Sequence, residues 1–303
     1  MREIPTPKTD AAPLAAQQVT DEAEDEDTFT PLQLASSQGN LALVSTLLAH
    51  KSDPNESPKG WYGKTALQAA SLEGHLPVVD QLLASGAQVD APGGNNGGRT
   101  ALALAAGAGH LDIVERLIAA GGDVRRPASR YMGRTALQAA AGGGHFAVVR
   151  KLLDEGADVH APPAHNNGRT ALQAAVEGQH VDIVETLIAE GADVNGAVMR
   201  YKGLTALQAA ASVGNIELIE RLLAAGAEVN AGGSYYNGCT ALSAAVEAGH
   251  PEAVQMLLRA GANTALTSGN KHWTSLQIAS FKGRTEIVEQ LMKAERELRH
   301  EAC

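Results

Sequence analysis

Gly133-Arg134-Thr135-Ala136-Leu137-Gln138-Ala139-Ala140, followed by Gly144-His145, decides how this chain is read. The hexapeptide Thr-Ala-Leu-Gln-Ala-Ala recurs unchanged from Thr65, Thr135, Thr170 and Thr205, and looser copies begin at Thr30, Thr100, Thr240 and Thr274. The copies are 35 residues apart, except the last, which follows after 34. A fixed period in this range specifies stacked supersecondary units, each burying an apolar face that it could not bury alone.

Working outward from Thr135, each unit reads as helix, turn, helix, hairpin. Thr135 is a good N-cap, because its hydroxyl reaches an orphan amide of the first turn. Ala136, Leu137, Ala139 and Ala140 give a short helix with a small face. Gly143-Gly144 ends it, glycine supplying a left-handed cap. His145 opens a second helix running through Leu153, with Val148, Val149, Leu152 and Leu153 on one stripe at helical spacing. Gly156-Ala157-Asp158-Val159 turns the chain into a Pro/Gly/Asn-rich hairpin. In the first copy Pro31 sits at the first helical position, where a missing N–H is harmless. Aromatic residues make up only 3% of a chain that is 44% hydrophobic, so Ala, Leu and Val must build the core. The expected fold is an all-α solenoid of about eight helix-turn-helix repeats with projecting hairpins, over residues 28–293.

The flanks read differently. Residues 1–27 hold eight acids against Arg2 and Lys8, a charge of −6, and end in an acidic run from Asp21 to Asp27. Such a segment buries too little apolar surface to offset its ordering entropy, so a disordered tail is expected. Tethered at the first repeat, it could lie over the nearest hairpins as a weak internal competitor. Residues 294–303 are expected to be a solvated helical extension. The end copies are polar where the middle ones are not, with Ser36, Ser37, Gln38 and Asn40 in the first and Arg284 in place of histidine in the last.

Several function classes are set aside by composition. A net charge of −10 disfavours indiscriminate binding to nucleic acid or anionic membrane. Two cysteines, Cys239 and Cys303, exclude a disulfide framework and point to a reducing compartment, the cytoplasm or nucleus. Met1 to Gln18 has no apolar core of a secretory signal, and no apolar run of about 18 residues would span a membrane. Five of the ten histidines (His75, His110, His145, His180 and His250) occupy one repeat position, too far apart to share a metal. No Walker loop, zinc spacing or nucleophile elbow occurs. Neither a metal nor a cofactor is therefore expected. Gly93 to Gly98, although glycine-rich, falls between repeats and reads as a turn.

Thr-Ala-Leu-Gln-x-Ala, Gly-His, the Val/Ile-Val-x-x-Leu-Leu/Ile stripe and Gly191-Ala192-Asp193-Val194-Asn195 resemble ankyrin repeats, in the 35-residue style of arrays from filamentous fungi. The family signature is Thr-Pro-Leu-His. Here proline survives only as Pro31, and the histidine is Gln in six copies, Ala103 and Ser243 in the others. The resemblance implies that this side chain should hydrogen-bond the adjoining hairpin, and a Gln amide can both donate and accept. It also implies a non-catalytic binding scaffold.

The hairpins hold the candidate site. All seven Tyr and Trp residues lie there: Trp61, Tyr62, Tyr131, Tyr201, Tyr235, Tyr236 and Trp273. Amphipathic aromatics on projecting loops make binding anchors, or else pack hairpin against hairpin. The hairpin segments carry eleven Lys/Arg and three Asp/Glu, opposite in sign to the rest of the chain. Directly before the repeat threonine stand Lys64, Arg99, Arg134 and Arg169, then Leu204, Cys239 and Trp273. Equivalent positions line up in a solenoid, so the first four predict a basic ladder of exposed residues, joined by Arg130 and Arg200. At the exposed end of the first helix the middle copies read Gly107-Ala108, Gly142-Gly143 and Glu177-Gly178. These small residues predict a central indentation over repeats 3–5, rimmed by Arg99, Arg134, Arg169, Tyr131, Met132 and His165. The expected partner is a protein presenting an acidic or polar segment to a monomeric scaffold. The rival class is a small-molecule binder or catalyst in the indentation, with Tyr131, His165 or Glu177 as acid or base.

Overall fold

The computed structural model describes residues 29–58, 63–94, 98–129, 133–165, 168–196, 198, 203–232, 238–268 and 272–301. The acidic tail lies outside these residues, as do Trp61, Tyr62, Arg130, Tyr131, Met132, Arg200, Tyr201, Tyr235 and Tyr236. The described residues form eight helix pairs. The first helices are α1 (Pro31–Ser37), α3 (Ala66–Glu73), α5 (Ala101–Ala108), α7 (Ala136–Gly143), α9 (Ala171–Glu177), α11 (Ala206–Val213), α13 (Ala241–Ala248) and α15 (Ser275–Phe281). Their partners are α2 (Leu41–Ala49), α4 (Leu76–Ala84), α6 (Leu111–Ala119), α8 (Phe146–Asp154), α10 (Val181–Ala189), α12 (Ile216–Ala224), α14 (Pro251–Arg259) and α16 (Thr285–Glu301). In the last described hairpin, β1 (Thr267–Ser268) pairs antiparallel with β2 (Trp273–Thr274).

Alanine faces let each first helix pack tightly on the next, whereas the second helices stand further apart. The array therefore curls toward the first helices, which form its concave side. One continuous core runs the length of the stack, filled in repeat 4 by Leu137, Val148, Val149 and Leu152, all at most 1% exposed.

The repeated residues join neighbouring repeats. Thr135 accepts from the Gln138 amide, and the Gln138 side chain accepts in return from Thr135 N–H, closing a capping box. The same glutamine donates through Nε2 to Ala161 O at 3.0 Å, 23 residues on in the hairpin. Gln68 and Gln208 do likewise to Ala91 O and Ala231 O. Glutamine thus performs the hairpin bond expected of it. Ser243 takes its place by bonding Ser268 Oγ at 2.7 Å. Ala103 can do neither, and repeat 3 keeps only the bond from Ala103 N to Thr100 Oγ1.

Gly-His is a contact between repeats. His75, His110, His145 and His250 donate through Nε2 to Ser37 O, Leu72 O, Gly107 O and Ser212 O of the preceding repeat, at 3.0–3.2 Å. To do so each ring lies over the preceding repeat's glycine. A Cβ on Gly74, at φ +83°, would stand 2.6 Å from the His110 ring. The pair departs together once. Repeat 6 has Asn215, which caps its own helix through Leu218 N, and the preceding repeat accordingly has Gln179, at φ +60°, in the glycine position.

Candidate functional site

The residue before each repeat threonine leaves the hairpin and enters the concave side. Gly133 and Gly168 precede it because the hairpin backbone crosses itself there: a Cβ on either would collide with the backbone of Ser129 or Ala164. That crossing sets Lys64, Arg99, Arg134 and Arg169 at the inner edge. All four are half-buried, which corrects the expectation of exposed ladder residues.

Four members of this row, Arg134, Arg169, Cys239 and Trp273, meet the residue eight positions later, at the end of their own first helix. Arg169 forms an ion pair with Glu177. Trp273 meets Phe281, ring centroids 5.0 Å apart and tilted by 60°. The half-buried thiol of Cys239 is pushed up to about 11, first by burial and second by the charge of Glu247. Arg134 faces Gly142, where a Cβ would stand 3.2 Å from the guanidinium Nη1. By the same register Arg99 belongs with Gly107, Lys64 with Leu72 and Leu204 with Ser212.

Arg99 and Arg134 open together on a depression of about 200 Å³, whose lining includes Leu72, Gly107, Gly142 and Gly143. It spans repeats 2–4 rather than the expected 3–5, and Arg169 does not line it. Burial, and after it the Arg134 charge, pull the Arg99 guanidinium below its ordinary value. It remains a cation at neutral pH. Among the described residues no carboxylate pairs with Arg99 or Arg134. The outer helices behave oppositely: Arg116 pairs with Asp80, Arg221 with Glu185 and Glu217, and Lys151 with Glu155.

His165 is exposed and does not line the depression. Glu177 is engaged by Arg169, so the two described acid/base candidates are not brought together. Tyr131, the third, lies outside the described residues. The depression is also smaller than the roughly 300–1,000 Å³ that usually encloses a small ligand. A larger cavity, about 460 Å³, opens between the hairpins where Ala103 leaves out the glutamine, lined by Thr100, Ala103, Arg126 and Arg134 among others. No three His, Cys, Asp or Glu side chains gather into a metal site among the described residues. Nor is any described helix long and apolar enough to cross a membrane.

Sequence reasoning missed the eight-residue register. Its signal was present in Arg169 with Glu177 and Trp273 with Phe281, but it emerges only when row and helix end are aligned across copies.

Known proteins place this geometry in context. A family described as ankyrin repeats (3 copies) matches residues 12–93, 90–162, 162–232 and 214–301. The crystal structure of the human ASB11 ankyrin repeat domain is similar with a TM-score of 0.62 and 27% identity, over 78% of this chain and 99% of that one. No protein with a curated description matches.

Proposed function

Since this chain belongs to the ankyrin-repeat family, whose members generally mediate protein–protein interaction, we propose that it is a non-catalytic scaffold receiving an acidic segment of a partner protein. The segment lies along the concave groove, against the inner row of cations in repeats 2–5. One observation carries this reading: the half-buried Arg99 and Arg134 share one depression and have no carboxylate partner among the described residues, whereas Arg169 in the same row and Arg116 and Arg221 on the outer helices are paired. A half-buried cation without a counter-ion is poorly solvated, and an arriving carboxylate restores what burial removed. The net charge of −10 repels polyanions at long range and leaves recognition to this local patch. We place the protein in the cytoplasm or nucleus on its sparse cysteines.

Replacing Arg99, Arg134 and Arg169 together by alanine tests the reading, with Arg116, Arg150 and Arg221 to alanine as control. Binding to an immobilised glutamate-rich peptide at low salt is measured by interferometry, with circular dichroism verifying the fold. The first triple should weaken binding at least about tenfold, the effect of losing roughly 1.4 kcal/mol. The control removes the exposed ion pairs of Arg116 and Arg221, each of small worth, together with the exposed Arg150, and should stay within about twofold. Equal losses in both would contradict the assignment.

A further inference from the structure

The register of row and helix end contains its own model of the bound state. In repeat 5 the carboxylate of Glu177 sits on Arg169. The equivalent positions in repeats 4 and 3 are Gly142, which faces Arg134, and Gly107, which lines the same depression as Arg99. We propose that the partner supplies those two missing carboxylates, with acidic side chains seated on Arg134 and Arg99 in the place that Glu177 takes on Arg169. This rests on the reading above and deepens it, from a basic groove to a two-carboxylate site with a defined spacing.

The glycines fit that role and no backbone need explains them. Gly107 and Gly142 lie within α5 and α7 rather than at their left-handed caps, and neither has a positive φ. Glycine is a poor helix residue, so a backbone reason for it is absent. What it does is leave room. A Cβ at Gly142 would stand 3.2 Å from Arg134 Nη1 and 3.4 Å from Ala174 Cβ, and one at Gly107 would stand 3.3 Å from Ala139 Cβ. Side chains there would fill the floor of the depression. The two guanidiniums are also close enough for Arg134 to depress Arg99, and two carboxylates arriving together relieve that repulsion. Arginine suits the task, since its planar fork accepts a carboxylate through paired hydrogen bonds.

The spacing follows from the stack. Packed helices lie about 8–10 Å apart, which sets the step from Arg99 to Arg134. A polyproline II segment rises about 3.1 Å per residue with three residues per turn, so residues i and i+3 share an edge about 9 Å apart. The matching ligand is therefore an extended segment with acids three residues apart. A third acid at the same spacing would meet Lys64 at one end of the row or, at the other, Arg169, already occupied by Glu177.

The probes are the synthetic peptides Glu-Pro-Pro-Glu and Glu-Pro-Pro-Glu-Pro-Pro-Glu, with all-glutamine versions as blanks, titrated into the full chain by calorimetry. The wild type should bind both acidic peptides and neither glutamine version. Gly142→Glu provides its own carboxylate and should weaken both about tenfold or more. Glu177→Gln frees Arg169 and should tighten only the longer peptide, by several-fold. Gly142→Glu binding like the wild type, or Glu177→Gln gaining nothing, would overturn the proposal. The broader reading would survive if the alanine triple still lost binding. If Gly142→Glu failed to fold, the Glu177→Gln arm would decide alone. Tighter binding of a short oligonucleotide than of either peptide, lost in the alanine triple, would assign the site to phosphate and overturn it too.

Discussion

Val149 in repeat 4 and Ile219 in repeat 6 occupy one place in the core, both fully buried, and differ by a methylene. Arg134 and Leu204 occupy one place at the hairpin edge of the same two repeats and have no chemistry in common. Positions that hold repeat to repeat are constrained by their neighbours on both sides. The concave row meets only its own helix end and whatever lies in the groove. Repetition therefore records the packing, and departures from it record what each repeat offers a partner. Repeat 5 pairs its arginine internally, repeat 8 covers its tryptophan with Phe281, and repeats 3 and 4 leave their arginines on a depression lined by glycine.

The sharpest break of this contrast is inside the core. Leu152 is fully buried, and Leu152→Ala should cost about 2–5 kcal/mol. In a solenoid that loss falls on the interfaces of one repeat with its neighbours. Thermal unfolding followed by circular dichroism should then split into two transitions, one for each half. A single transition at the wild-type temperature would show that coupling across repeat 4 is not what holds the array together.

A smaller change acts in the opposite direction. Ala103 is the one described hairpin anchor with no side-chain amide or hydroxyl. Ala103→Gln would restore both the capping box and the bond to the hairpin backbone that Gln138 makes to Ala161 O, and would partly fill the cavity beside Thr100. Each hydrogen bond contributes about 0.5–1.5 kcal/mol net, so the melting temperature should rise by a few degrees. A drop would mean that the cavity is too constrained to admit the side chain and that repeat 3 has packed around alanine.

The fold was legible because its causes are local and repeated. Thr135 with Gln138 is a capping box on inspection, Gly144 reads as a left-handed cap, and the stripe of Val148, Val149 and Leu152 has the period of a helix. The hairpin bond of Gln138 was legible only through the resemblance to ankyrin repeats, a Gln amide being able to donate where the signature histidine does. The site was less legible. That Arg134 and Arg169 share a row follows from the period alone. That the row is half-buried does not, since it depends on the hairpin backbone crossing at Gly133 and Gly168. The pairing of Arg169 with Glu177 needed the helix end brought back beneath the hairpin. The role of histidine was only half visible, as the start of a helix, because its bond runs to a carbonyl 38 residues away.

The central claim is that Arg99 and Arg134 await carboxylates that Arg169 already has. Side-chain Nε–Hε resonances of arginine, assigned by single substitutions, report it residue by residue. On titration with Glu-Pro-Pro-Glu, the signals of Arg99 and Arg134 should move together and saturate, while those of Arg169, Arg116 and Arg150 stay within the drift seen with the glutamine peptide. Equal movement of Arg169 or of the outer-helix arginines would reduce the groove to a diffuse attraction and contradict the account.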